Sequence, residues 1–191
     1  MQKYAKLEND IKEKLKKMVN KKRYDHSILV ANEAKKLAKI YSEDEYIAYL
    51  VGLAHDIAKD FSKEENTKWI EKYNCDRRLL NKENEKIIHS YIGALVAKEL
   101  FNFDDNMCSA IKYHTIGNEK MSKFDKIIFI SDKIGRENLS SDFDKLKEIA
   151  YHNLDEAILF YLNLLEEKLK KQGLKLNQES IKLRQKIIKK K

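Results

Sequence analysis

Apolar residues recur every three to four positions along most of this 191-residue chain, and strict alternation of apolar and polar residues is nearly absent. The first spacing places side chains on one face of an α-helix, whereas alternation would indicate β-strands. Val30, Ala34, Leu37 and Ala38, for example, form one such stripe. The pattern predicts helices over about residues 4–19, 26–41, 45–59, 84–100, 104–114, 123–133, 143–171 and 178–189, with a shorter helix after Ser62 that extends through Tyr73.

Composition supports an all-α fold. The chain has no proline and only five glycines, whereas a β-sandwich or barrel would need many turns. Apolar residues make up 42% of the chain, which is enough to form a core. We therefore expect residues 1–191 to form a single compact helical domain, with a basic helical C-terminal tail from about residue 174.

The net charge of +8 is concentrated at the C-terminal end. Residues 167–191 contain ten basic and two acidic residues, so the rest of the chain is balanced. Such a tail could contact nucleic acid or acidic partners, but a solvated helix end explains it more simply. We therefore do not expect nucleic-acid binding.

Nothing in the sequence predicts a membrane segment or export. The N-terminal stretch is amphipathic and rich in Lys and Glu, without the apolar region of a signal peptide. The longest apolar run, residues 46–54, is too short to cross a bilayer. Cys75 and Cys108 are far apart and form no CxxC motif. These features favour a cytoplasmic protein without disulfides.

Four of the five histidines are predicted to face the interior. These histidines and one aspartate lie three, four, seven or eight positions from apolar residues of the same helix; they are His26, His55, His89, His114 and Asp132. Asp56 directly follows His55. The fifth histidine, His152, has charged neighbours at helical spacing and is excluded.

This set of side chains indicates a metal centre. Burying six ionisable groups is costly unless they are paired or bind metal. Imidazole and carboxylate ligands suit Fe, Mn, Zn or Co, and six ligands exceed the needs of one tetrahedral site. They suffice for two ions that share a carboxylate, for which Asp56 is the natural bridge. We expect one ion to be held by His26, His55, Asp56 and Asp132, and the other by Asp56, His89 and His114. The residues alone predict a two-metal hydrolase of phosphate esters or anhydrides.

The ordered ligands resemble those of the HD-domain metal-dependent phosphohydrolases, and the surrounding segments resemble the YqeK-type symmetrical bis(5′-nucleosyl)-tetraphosphatases. The matching segments are residues 23–27, 52–60, 89–94, 114–117 and 121–133. The resemblance implies hydrolysis of diadenosine tetraphosphate to two ADP, with iron as the native metal. One loop departs from it, because the chain continues Gly135-Arg136-Glu137-Asn138 where the family tends to have Glu-Pro and then Arg.

A mechanism follows from these residues. We expect a water between the two ions to be deprotonated near neutral pH and to attack phosphorus in line with the leaving phosphate. The candidate catalytic residues are Asp56, Lys59 and His89. A polyphosphate carries several negative charges and needs cations or hydroxyl groups beside it. The candidate substrate contacts are Arg23, Lys59, Thr115 and Lys133.

Other functions remain open at this point. The chain could be another HD-type enzyme, such as a nucleoside monophosphate phosphatase or a guanosine tetraphosphate hydrolase. It could also be a non-catalytic nucleotide- or RNA-binding module, or a structural protein whose histidines are hydrogen-bonded. The expected partner is a nucleotide polyphosphate, and a homodimer is compatible with the sequence. Trp69 and Tyr73 could stack on adenine, although aromatic residues at this spacing more often pack in a core.

Overall fold

The computed structural model describes residues 2–137 and 140–190, with side chains from residue 5 onward. Asn138 of the divergent loop and Lys191 of the basic tail lie outside these residues. The regular structure described is all helical, which confirms the predicted fold class. The α-helices are α1 (Gln2–Met18), α2 (Lys21–Ile40), α3 (Glu45–Ala54), α4 (Lys63–Lys72), α5 (Ile88–Phe101), α6 (Asp105–Tyr113), α7 (Lys123–Ile134), α8 (Ser141–Ala150), α9 (Leu154–Lys170) and α10 (Gln178–Ile188). Two short 3₁₀ turns, Arg77–Leu80 and Lys82–Asn84, precede α5. Over this part of the chain, no helix has the length and apolar character that crossing a membrane requires.

Polar side chains set the start of most helices. Asp44 accepts hydrogen bonds from two backbone amides in the first turn of α3. Ser62 and Glu65 form a reciprocal capping box at the start of α4, and Ser122 and Asp125 form another at the start of α7. These caps satisfy amides that have no partner within the helix, and so define where each helix begins.

Helices α2, α3 and α7 pack together around the core. At Gly52, α3 approaches α2 so closely that an added Cβ atom would lie 2.7 Å from the Cα of Ala31. Leu37, Leu53 and Phe129 contribute fully buried side chains from the three helices. Burial of each such side chain contributes about 1.5–3 kcal/mol, so this packing fixes the helix ends that carry the candidate ligands.

Several helix boundaries differ from the prediction. The helix predicted over residues 143–171 is two helices, because the Asn153 side chain caps a new helix by accepting hydrogen bonds from the amides of Asp155 and Glu156. The helix predicted over residues 45–59 ends at Ala54, and residues 55–60 form turns. Helix α2 begins five residues before His26, at Lys21, and α5 begins only at Ile88.

The C-terminal helix α10 packs against the rest of the chain through one face. Leu183 and Ile187 are buried, and the Ser180 hydroxyl donates a 2.6 Å hydrogen bond to the carbonyl of Ile116. Gly117, with φ of 74°, leaves room for the Leu183 side chain, since an added Cβ would lie 2.5 Å from its Cδ2 atom. The lysines of α10 remain exposed, so these lysines are solvated although the helix itself is packed.

Candidate metal centre

The first group of candidate ligands contains His26, His55, Asp56 and Asp132. His26 lies near the start of α2 and Asp132 near the end of α7, while His55 and Asp56 follow directly after α3. One ligand atom from each residue lies within 4.8 Å of all the others. Nε2 of His26 is 3.0 Å from Oδ1 of Asp132, and Nε2 of His55 is 3.5 Å from the same oxygen. Nε2 of His55 is also 3.5 Å from Oδ2 of Asp56.

The second group contains Asp56, His89 and His114. His89 is the second residue of α5, and His114 follows directly after α6. Oδ1 of Asp56 lies 3.2 Å from Nε2 of His89 and 3.4 Å from Nε2 of His114. Asp56 therefore faces one group with each of its two oxygens. The structure brings together all six predicted ligands, in the two groups expected from the sequence; that they bind metal remains a prediction.

Backbone carbonyls fix the orientation of two of the imidazole rings. Nδ1 of His55 lies 2.7 Å from the carbonyl oxygen of Gly52, and Nδ1 of His114 lies 2.7 Å from that of Ile111. A carbonyl oxygen can only accept a hydrogen bond, so in both rings Nδ1 carries a hydrogen and is the donor. In the neutral ring, Nε2 then presents its lone pair to the centre, which is the arrangement typical of metal-ligating histidines.

The buried atoms at the centre fit metal ions. Among the residues that the structure describes, Nε2 of His55 and Oδ1 of Asp56 are buried and have no hydrogen-bond partner. Each buried unsatisfied polar atom costs about 1–3 kcal/mol. Metal coordination would remove this cost, and four imidazoles with two carboxylates form a donor set suited to transition metals. The residues present therefore fit two divalent ions.

Both candidate carboxylate ligands are held in their ionised form. Burial alone would raise the pKa of Asp56, but the neighbouring imidazoles, with His55 the strongest, hold that pKa well below its usual range. Burial would likewise raise the pKa of Asp132, but Lys133 and His26 hold it well below its usual range. Both carboxylates are therefore negatively charged near neutral pH, which is the form that binds a cation.

The buried imidazoles differ in their protonation. Burial lowers the pKa of His89 to about 4, and burial also lowers the pKa of His114. Burial would lower the pKa of His55 too, but the carboxylates of Asp56 and Asp132 raise it to about 9. His89 and His114 are therefore neutral near pH 7, which is the form that coordinates metal, whereas His55 would release a proton on coordination.

All four candidate substrate contacts touch these ligands, and Arg23, Lys59 and Thr115 do so beside open space. Nη1 of Arg23 donates a 2.7 Å hydrogen bond to Oδ2 of Asp56. Nζ of Lys59 lies 3.1 Å from Nε2 of His89, and burial lowers the pKa of this lysine. Oγ1 of Thr115 lies 3.2 Å from Nε2 of both His89 and His114. All three residues line a cleft of about 700 Å³ that opens onto the centre.

Lys133, the fourth candidate substrate contact, has a different environment. Its side chain is buried, and its Nζ donates a 2.6 Å hydrogen bond to Oδ2 of Asp132 and a 3.0 Å hydrogen bond to the carbonyl of His114. The ammonium also lies over the ring of Phe129, 4.9 Å from its centroid. These contacts indicate that Lys133 supports Asp132 rather than serving as a free cation, and a direct substrate contact stays a prediction.

Parts of the cleft were not expected from the sequence. Leu174 and Lys175, in the loop between α9 and α10, form one wall, and Lys82 and Lys86 line it from the segment before α5. Arg136 of the divergent loop lines it too. The basic charge of the C-terminal segment was visible in the sequence, but helical periodicity does not show which loop folds over a site.

Three side chains considered from the sequence lie away from the centre. His152 is exposed in the turn between α8 and α9. Trp69 and Tyr73 stack on each other, with ring centroids 5.7 Å apart and an interplanar angle of 8°. Neither aromatic residue is among those that line the cleft, so adenine stacking on them has no support in the geometry.

Comparison with known proteins gives a consistent family. A family model described as the HD domain matches residues 23–137, which include all six candidate ligands. The symmetrical bis(5′-nucleosyl)-tetraphosphatase of Staphylococcus aureus is 34% identical over 146 residues, covering 75% of each chain. The enzyme of the same name from Bacillus subtilis is 30% identical over 146 residues, covering 76% of this chain and 78% of the relative.

A longer relative matches through part of its length. This protein of Mycoplasma genitalium, named probable nicotinate-nucleotide adenylyltransferase/Ap4A hydrolase, is 32% identical over 163 residues. The match covers 82% of this chain but 46% of that protein, so the chain spans about half of this relative. The rest of that protein lies outside the match, so its full name describes more than the part that is similar to this chain.

A solved structure shares the fold. It is a crystal structure of a protein from Clostridium acetobutylicum described as a predicted HD superfamily hydrolase involved in NAD metabolism. The two chains superpose with a TM-score of 0.88 and 29% identity, over 96% of this chain and 97% of the other. Because the HD model spans the whole candidate centre and the relatives match over three quarters of the chain, this chain belongs to the HD-domain family of phosphohydrolases, is a hydrolase, and is a relative of the symmetrical bis(5′-nucleosyl)-tetraphosphatases.

Proposed function

We propose that this hydrolase cleaves diadenosine tetraphosphate symmetrically into two molecules of ADP, with two divalent ions held by the six candidate ligands. The observation that carries this proposal is the pair of ligand groups that share Asp56, one through each carboxylate oxygen, beside an open cleft. Two ions close together suit hydrolysis of a phosphoanhydride. Relatives named for the symmetrical reaction support this substrate.

Metal ions bound at this centre would contribute in two ways. They would supply an activated water near neutral pH and neutralise charge on the transferred phosphoryl group. We propose iron as the native metal, since nitrogen and carboxylate donors suit it; Mn, Co and Zn would bind the same donor set. Asp56 and His89 are candidate catalytic residues through their place among the ligands.

The side chains of the cleft would position the tetraphosphate. Arg23 and Lys59 place positive charge directly beside Asp56 and His89, and the Thr115 hydroxyl lies next to the second ligand group. These groups can bind phosphate oxygens and stabilise the charge that develops on the departing ADP. Symmetrical cleavage requires attack on one of the two central phosphorus atoms, in line with the other central phosphate as leaving group.

The charge of the cleft favours a polyphosphate over a monophosphate. Beyond the residues at the centre, Lys82, Lys86, Arg136 and Lys175 also line it. One phosphate group would not need so many cations, whereas a chain of phosphates extends far enough to meet several of them. This distribution supports a dinucleoside tetraphosphate more strongly than a nucleoside monophosphate.

The direct test is a product assay. Metal-analysed protein, kept reduced with Fe(II), is incubated with diadenosine tetraphosphate, and the nucleotides are separated by ion exchange. We expect ADP as the sole product. ATP with AMP would show asymmetrical cleavage. Absence of turnover in protein that carries two ions would contradict the proposed substrate and favour another HD-type activity, to be sought with guanosine tetraphosphate and nucleoside monophosphates.

A further inference from the structure

The loop between α9 and α10, together with the start of α10, forms one side of the cleft at the candidate metal centre. The residues that line the cleft from this side are Leu174, Lys175, Leu176, Asn177 and Ser180. All of them lie outside residues 23–137, which the HD-domain model matches. This part of the chain therefore adds side chains to the cleft that do not belong to the matched region.

The residues that follow Lys175 anchor this loop to the rest of the protein. Leu176 is only 7% exposed, so the next residue along the chain is packed into the protein. The Ser180 hydroxyl donates a 2.6 Å hydrogen bond to the carbonyl of Ile116, which lies two residues after His114. The backbone of Lys175 is thus held near the second ligand group.

The side chain of Lys175 is available to an anion. It is exposed, and its ammonium group has no ion-pair or hydrogen-bond partner among the residues that the structure describes. Lys170, at the end of α9, differs because it pairs with Glu166. Residues 171–177 contain no acidic side chain that could pair with Lys175. An anion in the cleft would therefore not have to displace a carboxylate from this lysine.

Most other charges in the cleft are already balanced. Residues 82–86 contribute two lysines and two glutamates to its lining, so their charges cancel. Both candidate carboxylate ligands pair with a neighbouring cation. Of the remaining cations in the lining, Lys59 contacts a candidate ligand and Arg136 lies over the ring of Phe143. Within the described part of the chain, Lys175 makes no such contact.

We propose that Lys175 is a substrate-binding residue, which contacts the phosphate chain of diadenosine tetraphosphate away from the phosphorus that reacts. The inference rests on the proposed function and adds a residue that makes the protein favour a long phosphate chain over a short one. A lysine ammonium is a compact charge with three donors on a flexible stem, so it can bind phosphate oxygens without a fixed geometry. Lys59 at the centre and Lys175 on the loop would bind different phosphates of one chain, whereas a single phosphate at the centre would contact only the first.

The kinetic test compares Lys175→Met with Lys171→Met. Lys171 is an exposed lysine four residues earlier that does not line the cleft, so its loss changes the net charge equally. We expect Lys175→Met to raise KM for diadenosine tetraphosphate about fivefold with kcat unchanged, as loss of one exposed ion pair at its strongest predicts. Lys175→Arg, which keeps the charge, and Lys171→Met should stay close to the wild type. An unchanged KM in Lys175→Met, or an equal rise in Lys171→Met, would overturn the inference.

Ionic strength supplies a readout that a purely structural role of Lys175 would not change. The screening length falls from about 10 Å in 0.1 M salt to about 3 Å in 1 M salt. The fivefold difference in KM should therefore apply at about 0.1 M and shrink to less than about twofold at 1 M. A difference of the same size at both salt concentrations would indicate a changed loop and would contradict a charge contact.

A binding measurement separates this inference from the proposed function. Inorganic tripolyphosphate has several charges and no nucleoside, and its binding to the metal-free protein, followed by NMR titration, does not depend on hydrolysis. We expect Lys175→Met to weaken this binding about fivefold and to leave binding of inorganic phosphate unchanged. Equal binding of tripolyphosphate by variant and wild type, or no binding by the wild type, would overturn the inference. If the wild type does not hydrolyse dinucleoside tetraphosphates but shows this difference, the proposed function fails while the role of Lys175 in binding a phosphate chain stands.

Discussion

Lys133 shows how neighbouring atoms decide the role of a single residue. The sequence suggested a substrate contact because Lys133 directly follows Asp132, yet adjacency does not determine where a side chain points. In the structure its ammonium is buried against Asp132 and the carbonyl of His114. A buried ion pair of this kind is most important when one partner is removed, because the other charge then remains uncompensated.

We therefore predict that Lys133→Met lowers the free energy of unfolding of the metal-free protein by about 3 kcal/mol, since Asp132 loses its closest cation. Urea denaturation measures this change. Lys98→Met is the control, because Lys98 forms an exposed ion pair with Asp105 and its loss should lower the free energy of unfolding far less. Equal effects of the two substitutions would contradict a supporting role for Lys133.

At the scale of elements, the candidate centre is built mainly from helix ends. The sequence correctly indicated α3, but it extended that helix through His55 and Asp56, which in fact lie in the following turns. The apolar pattern could not reveal this end, because Ile57 and Ala58 are buried in the turns as they would be in a helix. Ala150 and Leu154, buried on either side of the break between α8 and α9, concealed that boundary in the same way.

The spacing of α2 and α3 gives a prediction at this scale. Gly52→Ala should lower the free energy of unfolding by about 1–3 kcal/mol, because the added Cβ would lie 2.7 Å from the Cα of Ala31. The loss should appear although alanine favours a helix over glycine by about 1 kcal/mol. The Gly52 carbonyl also accepts a hydrogen bond from His55, so a shift of α3 would disturb the centre.

Gly93→Ala provides the control for this substitution. Gly93 lies within α5, and an added Cβ would meet its nearest neighbour, a side-chain atom of Ile111, at 3.4 Å. We expect this variant to be as stable as the wild type or more stable, measured by the same denaturant titration. A Gly52→Ala protein as stable as Gly93→Ala would show that the close approach of α2 and α3 does not limit the packing.

At the scale of the whole molecule, the ligand set was predictable and the cleft was not. Imidazoles and carboxylates on several apolar helix faces must converge, because burying them separately would be too costly. The loop between α9 and α10, which supplies Leu174 and Lys175 to the cleft, has no comparable signal. That residues 1–191 form one domain remains a prediction.

The measurement that most directly tests the central claim is the metal content of five proteins: the wild type, Asp56→Ala, His26→Ala, His89→Ala and the control His152→Ala. Metal-loaded samples are analysed by mass spectrometry, and circular dichroism verifies that each protein is helical. His152→Ala is the control because His152 is an exposed histidine.

A centre of two ions that share Asp56 predicts about two ions per chain in the wild type and in His152→Ala, and about one in His26→Ala and in His89→Ala. Asp56→Ala should bind less metal than either and lose turnover. Two ions and full activity in a helical Asp56→Ala protein would contradict the account.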